Sequence, residues 1–221
     1  MKMKKKNILV CSDSPHPKVG DGYHSSAMSA IEKHFVSASK KANLLKDTRC
    51  YLIGHMQYAN GESWRNEVKT QFKDSGIKFY NPYHKPFIHD IPEDEASRAE
   101  MLHWMETEQY DLVAARMKPV RGYDLRLCDI CDWYIAVIKP EVASWGSAEE
   151  ITTIIREKKP LFLVIDHPEG KKKTPLWLMA IMPHKYIYSN LQEAIDTVKA
   201  IDDGIIKMTS DRWKLLEMGQ R

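Results

Sequence analysis

Short runs of β-forming, mostly apolar residues recur along this chain with helix-length segments between them, and that alternation constrains the fold more than any other feature. The runs fall at 7–11, 49–53, 77–80, 133–138, 161–165 and 185–188. Parallel strands need a crossover of a dozen or more residues, usually a helix, and they are buried on both faces. They therefore read as continuous apolar stretches such as Trp133-Tyr134-Ile135-Ala136-Val137-Ile138. The pattern predicts an α/β three-layer sandwich, with a mostly parallel five- or six-stranded sheet covered by helices on both faces. A chain of 221 residues, 43% of them hydrophobic, is long enough for one such core.

Local signals place the helices. One is predicted over 64–74, with Val68 and Phe72 at helical spacing, Ser63 as N-cap and Gly76 as the stop. Asp90-Ile91-Pro92-Glu93 has a capping residue, an early proline and a glutamate, which predicts a helix from there to about Glu108. A further helix carries Leu125 and Leu127, and another opens at Gly146-Ser147-Ala148-Glu149-Glu150. Ser189-Asn190-Leu191-Gln192 opens the last, whose stripe of Leu191, Ala194, Ile195 and Val198 reads as core. The organisation is then an N-terminal extension over 1–48, a main domain over 49–202 and a helical tail over 203–221. The extension reads as a strand at 7–11 and a helix at 25–41 with Met28, Ile31 and Phe35 on one face. The tail has Trp213, Leu215, Leu216 and Met218, enough apolar surface to dock on the domain or on a neighbouring subunit.

Several function classes fall away on composition. The net charge of +3 arises from 33 basic and 30 acidic residues, so no whole-molecule field favours nucleic acid or an anionic membrane. No apolar run approaches the roughly 20 residues of a membrane helix. The lysines within 1–6 are followed only by a strand-length apolar stretch, without the h-region of a signal peptide, so a cytoplasmic protein is expected. Four cysteines are too sparse for a disulfide scaffold, and no disulfide is expected. Cys128 and Cys131 form a Cys-x-x-Cys without a second pair and read as packing thiols. His16, His24, Asp13 and Asp21 share a loop-like stretch whose spacing fits no standard metal site. Lys171, Lys172 and Lys173 read as a solvated loop, and His84 and His89 as a surface loop in preference to a lid.

The chemistry concentrates in two places. Asp124 lies on a helix, Asp132 stands at the mouth of the strand 133–138, and Ser144, Gly146, Ser147, Glu149 and Glu150 occupy the following loop and helix start. In an open parallel sheet ligands bind outside the carboxyl ends of the strands. A carboxylate in the first turn of a helix there is favoured in its ionised form, as a carboxylate nucleophile requires. Ser147-x-x-Glu150 equally reads as a capping box, with a purely structural glutamate. The strand ending Tyr51-Leu52-Ile53-Gly54-His55 runs into a glycine, followed by Tyr58, Trp64 and Arg65. Aromatic rings, a glycine turn and an arginine near a helix N-terminus suit a nucleoside or nucleotide.

Together these segments resemble the nucleoside 2-deoxyribosyltransferase superfamily, which includes 2′-deoxynucleoside 5′-monophosphate N-glycosidases. The resemblance runs from about Arg49 to Ala200. Tyr51-Leu52-Ile53-Gly54 is similar to that family's first strand. Asp124-Leu125-Arg126-Leu127, followed by Asp132-Trp133-Tyr134-Ile135-Ala136, is similar to its helix and strand with two aspartates eight residues apart. Gly146 to Glu150 resembles its glycine-to-glutamate helix start, and Lys158-Lys159-Pro160-Leu161 its lead into the next strand.

The resemblance implies a flavodoxin-like or Rossmann-like fold, Glu150 as nucleophile, Asp124 as partner carboxylate and Tyr51 as the group orienting the nucleophile. It further implies substrate contacts from Asp132 and Ser144. Adjacent Glu149 is the alternative nucleophile, because the register is open by one. Gly54-His55 stands where the family has Gly-Pro, and Gly146-Ser147 where many members have Gly-Thr. No metal or organic cofactor is implied, and at least a homodimer is expected. The expected activity is cleavage or exchange of the N-glycosidic bond of 2′-deoxyribonucleosides or their 5′-monophosphates through a glycosyl-glutamate. Two alternatives are hydrolysis alone, and a non-catalytic nucleotide-binding or sensor module. A ribonucleotide phosphoribohydrolase is disfavoured, since Ser144-Trp145 precede Gly146 where that family is glycine-rich.

Overall fold

The computed structural model describes residues 42–56, 61–84 and 93–206. The chain divides into two units, Met1–Lys40 and Lys41–Arg221, and everything described belongs to the second. The strand and helix expected at 7–11 and 25–41, His89, Tyr58 and the tail residues from 207 onward lie outside the described residues.

Five strands form one sheet: β1 (Arg49–Gly54), β2 (Lys78–Tyr80), β3 (Trp133–Ile138), β4 (Leu161–Ile165) and β5 (Ile187–Tyr188). Their order is β2-β1-β3-β4-β5 and every pairing is parallel. The protein is therefore a three-layer α/β sandwich of flavodoxin-like topology, whose order reverses between β1 and β3. Among the described residues there are six α-helices: α1 (Ser63–Gln71), α2 (Glu95–Glu106), α3 (Tyr110–Ile130), α4 (Trp145–Arg156), α5 (Leu176–Ile181) and, after the last strand, α6 (Leu191–Asp202).

Alternation of side chains along the strands sends Tyr51 and Tyr134 to one face, where their rings meet edge to face at 6.5 Å and α3 and α4 pack. The other face carries a chain of rings, Phe72–Phe79–Trp133–Phe162–Tyr186, with centroids 5.8–6.2 Å apart. α1 and α6 cover that face, and Lys199 Nζ of α6 bonds Gln71 of α1 at 2.6 Å. Among the described residues no helix is long and apolar enough to cross a membrane.

Several local expectations shift. Glu62, not Ser63, takes the N-cap place of α1; α1 ends at Gln71, and Gly76, although left-handed at φ +75°, lies beyond its cap residue Phe72. The helix expected from Asp90 begins at Glu95, because the extended Asp94 accepts the Ser97 N–H at 2.8 Å and caps it there. The strand expected at 185–188 keeps only Ile187 and Tyr188, since the Tyr186 N–H turns back to the Pro183 carbonyl. The capped helix expected to open within Ser189-Asn190-Leu191-Gln192 is α6, with Asn190 as its cap, accepting the Glu193 N–H at 2.9 Å. Residues 42–48, grouped by sequence with the extension, are tied to the main domain. Leu45 is buried, and its N–H donates to the Asp202 carboxylate at 2.8 Å.

α2 and α3 form a tight antiparallel hairpin. Glu108 sits in the left-handed region at φ +59°, its N–H bonded to Met105 O at 3.3 Å, and the Gln109 N–H closes on Trp104 O at 2.7 Å. This pair of bonds is a Schellman closure, usually built on glycine. The N-terminal half of α3 was not anticipated from sequence, and Pro119 lies inside the helix.

Candidate active site

The site grows from β1. Tyr51 lies in mid-strand on the α3/α4 face, and its hydroxyl donates to Glu150 Oε1 at 2.6 Å. Glu150 belongs to the buried stripe Ser147, Glu150, Ile151 and Ile154 of α4, and is only 7% exposed. A glutamate on the apolar stripe of a helix is the anomaly that marks the site, because buried carboxylates persist only with partners. The capping-box reading does not hold. Ser144 occupies the N-cap place and its Oγ donates to Ser147 Oγ at 2.9 Å, while the Glu150 carboxylate reaches across to β1.

Asp124 comes in from α3. Its charge and that of Glu150 both act on the Tyr51 hydroxyl, on Arg65 and on the Cys128 thiol, so the two carboxylates share one neighbourhood. Burial, followed by the two carboxylates, pushes the Tyr51 phenol well above its ordinary value and keeps it a neutral donor. Burial likewise holds the Cys128 thiol well above the ordinary thiol value and pushes Cys131 up to about 12. Cys50, Cys128 and Cys131 are buried free thiols, which gives the Cys-x-x-Cys a packing role.

Arg65 enters from α1 on the opposite face, is fully buried and ends among backbone carbonyls. Nε donates to Leu52 O at 3.1 Å, Nη2 to Gly54 O at 3.0 Å, and Nη1 to Gly61 O. Its guanidinium lies 4.5 Å from the Trp64 ring centroid and 5.4 Å from that of Tyr83. Burial lowers its pKa to about 10, so it stays a cation at neutral pH, supported by the nearby carboxylates. Arg65, read from sequence as a substrate contact, ties the end of β1 to the turn that leads into α1.

Gly54 explains itself by close approach. A Cβ there would stand 2.6 Å from the backbone carbonyl of Val137 on β3, and 3.2 Å from Trp64. His55 follows, buried, at the carboxyl edge where β1 and β3 diverge. Burial, then the Lys139 and Arg65 charges, hold its pKa below the ordinary histidine value, against the opposing pull of Asp166 and Glu141.

No family model and no curated protein matches this sequence.

Tyr51, Gly54, His55, Trp64, Arg65, Asp124, Ser144, Ser147 and Glu150 thus come from β1 and the residue after it, and from α1, α3 and α4 with its cap. Of the other expected contacts, Asp132 lies elsewhere, while Gly146 and Glu149 share α4 with Ser147 and Glu150. Asp132 precedes β3 at the amino edge of the sheet. There it accepts the Arg49 N–H at 2.7 Å and pairs with the Arg49 guanidinium at 3.2 Å. Five residues of strand separate this point from Gly54, about 16 Å of rise. Glu149 turns away from Glu150 and makes a two-pronged pair with Arg121 on α3, Oε2 to Nε at 2.9 Å. That pair holds its carboxyl below the usual range. Gly146 is exposed with open space around it, so the site makes no demand for a glycine there. Glu62, not anticipated, pairs with His84 at 3.0 Å.

Sequence reasoning also missed the clamp on α3. Lys159 Nζ donates to Cys128 O at 2.6 Å and to Asp129 O, and the Tyr134 hydroxyl donates to Cys131 O at 2.8 Å and to Cys128 O. These bonds satisfy the last carbonyls of the helix that carries Asp124. A lysine just past the next helix was the only available signal. Among the described residues no cluster of three His, Cys, Asp or Glu could hold a metal ion.

Proposed function

We propose that this chain cleaves or exchanges the N-glycosidic bond of 2′-deoxyribonucleosides or their 5′-monophosphates, with Glu150 as the nucleophile. The observation that carries the reading is the 2.6 Å hydrogen bond from Tyr51 to the buried Glu150 carboxylate. It lies beside the point where the strand order reverses, the place for a ligand in such sheets.

A Glu150 oxygen attacks C1′ of the sugar as the C1′–N bond breaks, and the electron pair leaves on the base. Asp124, beside the same tyrosine, carries the proton to the departing base. Tyr51 fixes the carboxylate rotamer and stays neutral throughout. Water or a second base then attacks C1′ and gives its proton back to the Asp124 carboxylate, while the ester bond breaks and the electron pair returns to Glu150. Hydrolysis and exchange use the same groups and differ in how well the pocket excludes water.

The test is chromatographic detection of free-base release and base exchange, using deoxynucleosides and their monophosphates with and without a second base. Wild type should turn over at least one class, Glu150→Gln should lose the activity, and Glu149→Gln should keep it. No turnover of any substrate, or a Glu150→Gln variant as active as wild type, would refute the proposal. Base release without exchange would mark a hydrolase.

A further inference from the structure

One residue closes two helices. The Lys159 N–H donates to Ile154 O of α4 at 3.0 Å, once Lys158, left-handed at φ +60°, has turned the chain and bonded Ile155 O at 3.1 Å. This is a Schellman closure built on a residue with a Cβ, so it carries local strain. The Lys159 side chain then crosses to α3, where Nζ donates to Cys128 O at 2.6 Å and to Asp129 O. Both bonds fall one turn past a carboxylate of the candidate site. Glu150 lies four residues before Ile154 and Asp124 four before Cys128, about 6 Å along each helix.

Elsewhere α3 is held lightly. Residues 110–119 contribute no buried side chain, and the helix enters the domain through Val120, Leu127 and Cys128. Arg121 and Glu149 also join α3 to α4, but their side chains are 61% and 40% exposed, and exposed ion pairs contribute little. At the clamp the Lys159 side chain is 22% exposed, pairs with Glu157 at 3.0 Å and lies 3.4 Å from the Tyr134 hydroxyl. That hydroxyl donates to Cys131 O at 2.8 Å and to Cys128 O, while the Tyr134 ring packs against Tyr51.

We infer that Lys159 is a positioning residue: it fixes the register of α3 against α4 and thereby the placement of Asp124 relative to Glu150. The inference rests on the reading of those two carboxylates as acid and nucleophile. Lys159 itself stands before β4 at the amino edge of the sheet, opposite the edge where ligands bind, and does not touch substrate. An ammonium group suits the place, because it brings three donors and a positive charge to the negative end of α3. The acid and the nucleophile must bear on one C1′–N bond, and a misplacement of about 1 Å costs on the order of 100-fold in rate.

Lys159→Met keeps the backbone bond to Ile154 and most of the stem, and deletes the donors to α3. On a substrate that wild type turns over, kcat should fall about 10- to 100-fold with KM within about twofold, and Lys159→Arg should recover most of the loss. Lys199→Met, which removes a lysine bond between α6 and α1 on the other face, should leave both constants as in wild type. A second arm needs no substrate: the coupling in stability between Asp124→Asn and Glu150→Gln should fall by at least half in the Lys159→Met background. If Lys159→Met does not fold, Tyr134→Phe tests the same clamp, with a fall in kcat of at least about threefold at unchanged KM. Wild-type kcat in the variant used, a rise in KM in place of the fall in kcat, no rescue by arginine, or an unchanged coupling would overturn the inference. A wild type without turnover sinks the glycosyl reading instead, and the coupling then decides alone whether Lys159 sets the two carboxylates.

Discussion

Replacing Tyr51 by phenylalanine removes one oxygen from the middle of the core and leaves the ring in place against Tyr134. The lost interaction is short, buried and made to a carboxylate, Tyr51 Oη to Glu150 Oε1 at 2.6 Å. Hydrogen bonds to charged groups contribute about 1.5–3 kcal/mol, and removing one partner leaves the other desolvated without it. With both residues almost fully buried, solvent does not replace the donor, so a loss of about 2 kcal/mol is expected. For a domain of this size that lowers the melting temperature by about 4–8 °C. If the tyrosine orients the nucleophile, the same energy appears in the barrier as a fall in kcat of about 10- to 100-fold, with KM little changed.

The assay is a double-mutant cycle of Tyr51→Phe with Glu150→Gln, followed by chemical denaturation and by base release in parallel. A coupling above about 1 kcal/mol is expected in stability, since Tyr51→Phe deletes the donor and Glu150→Gln removes the charge that strengthens the bond. A Tyr51→Phe protein that melts with wild type and shows no coupling would refute the idea that this bond holds the carboxylate in place.

Three further outcomes follow from the geometry. Gly54→Ala places a methyl 2.6 Å from the Val137 carbonyl, so β1 and β3 must part locally; denaturation should show a loss of about 1–3 kcal/mol. His55 is held neutral in the fold while the unfolded chain protonates at the ordinary histidine value. Stability should therefore fall as pH drops below about 6.5, and a pH series of melting curves should show a shallower decline for His55→Gln. Glu108→Gly relieves a left-handed glutamate in the α2–α3 turn and should raise stability by up to about 1 kcal/mol, read as an upward shift of the denaturation midpoint.

Much of the fold was legible because its signals are local. The apolar runs of β1, β3 and β4 are buried on both faces, so their composition announces them without knowledge of neighbours. Asn190 and the stripe behind it specify α6 by short-range bonding alone. The ends of elements were less legible, as at α2, whose cap is Asp94 and not a residue of the Asp90-Ile91-Pro92-Glu93 stretch read from sequence as its start. The first half of α3 escaped because a helix that buries nothing at home has no stripe aimed at its own core.

The amino-acid sequence by itself determined the parallel α/β architecture, and through the family resemblance it singled out Tyr51, Asp124 and the Glu149–Glu150 pair as the residues to watch. Tertiary structure decided which of them meet. Glu149 and Glu150 differ by one step of about 100° around a helix, which sends one to Arg121 at the surface and the other to Tyr51, 99 positions away in sequence. Asp124 and Asp132 are only eight residues apart, yet one shares the Glu150 neighbourhood and the other holds Arg49 at the opposite edge of the sheet. Arg65 became an anchor because the carbonyls it binds come from β1 and the following turn. Spacing along a chain reports periodicity and local bonding, whereas burial and charge partnership depend on residues brought from elsewhere, and those are settled only when the sheet is assembled.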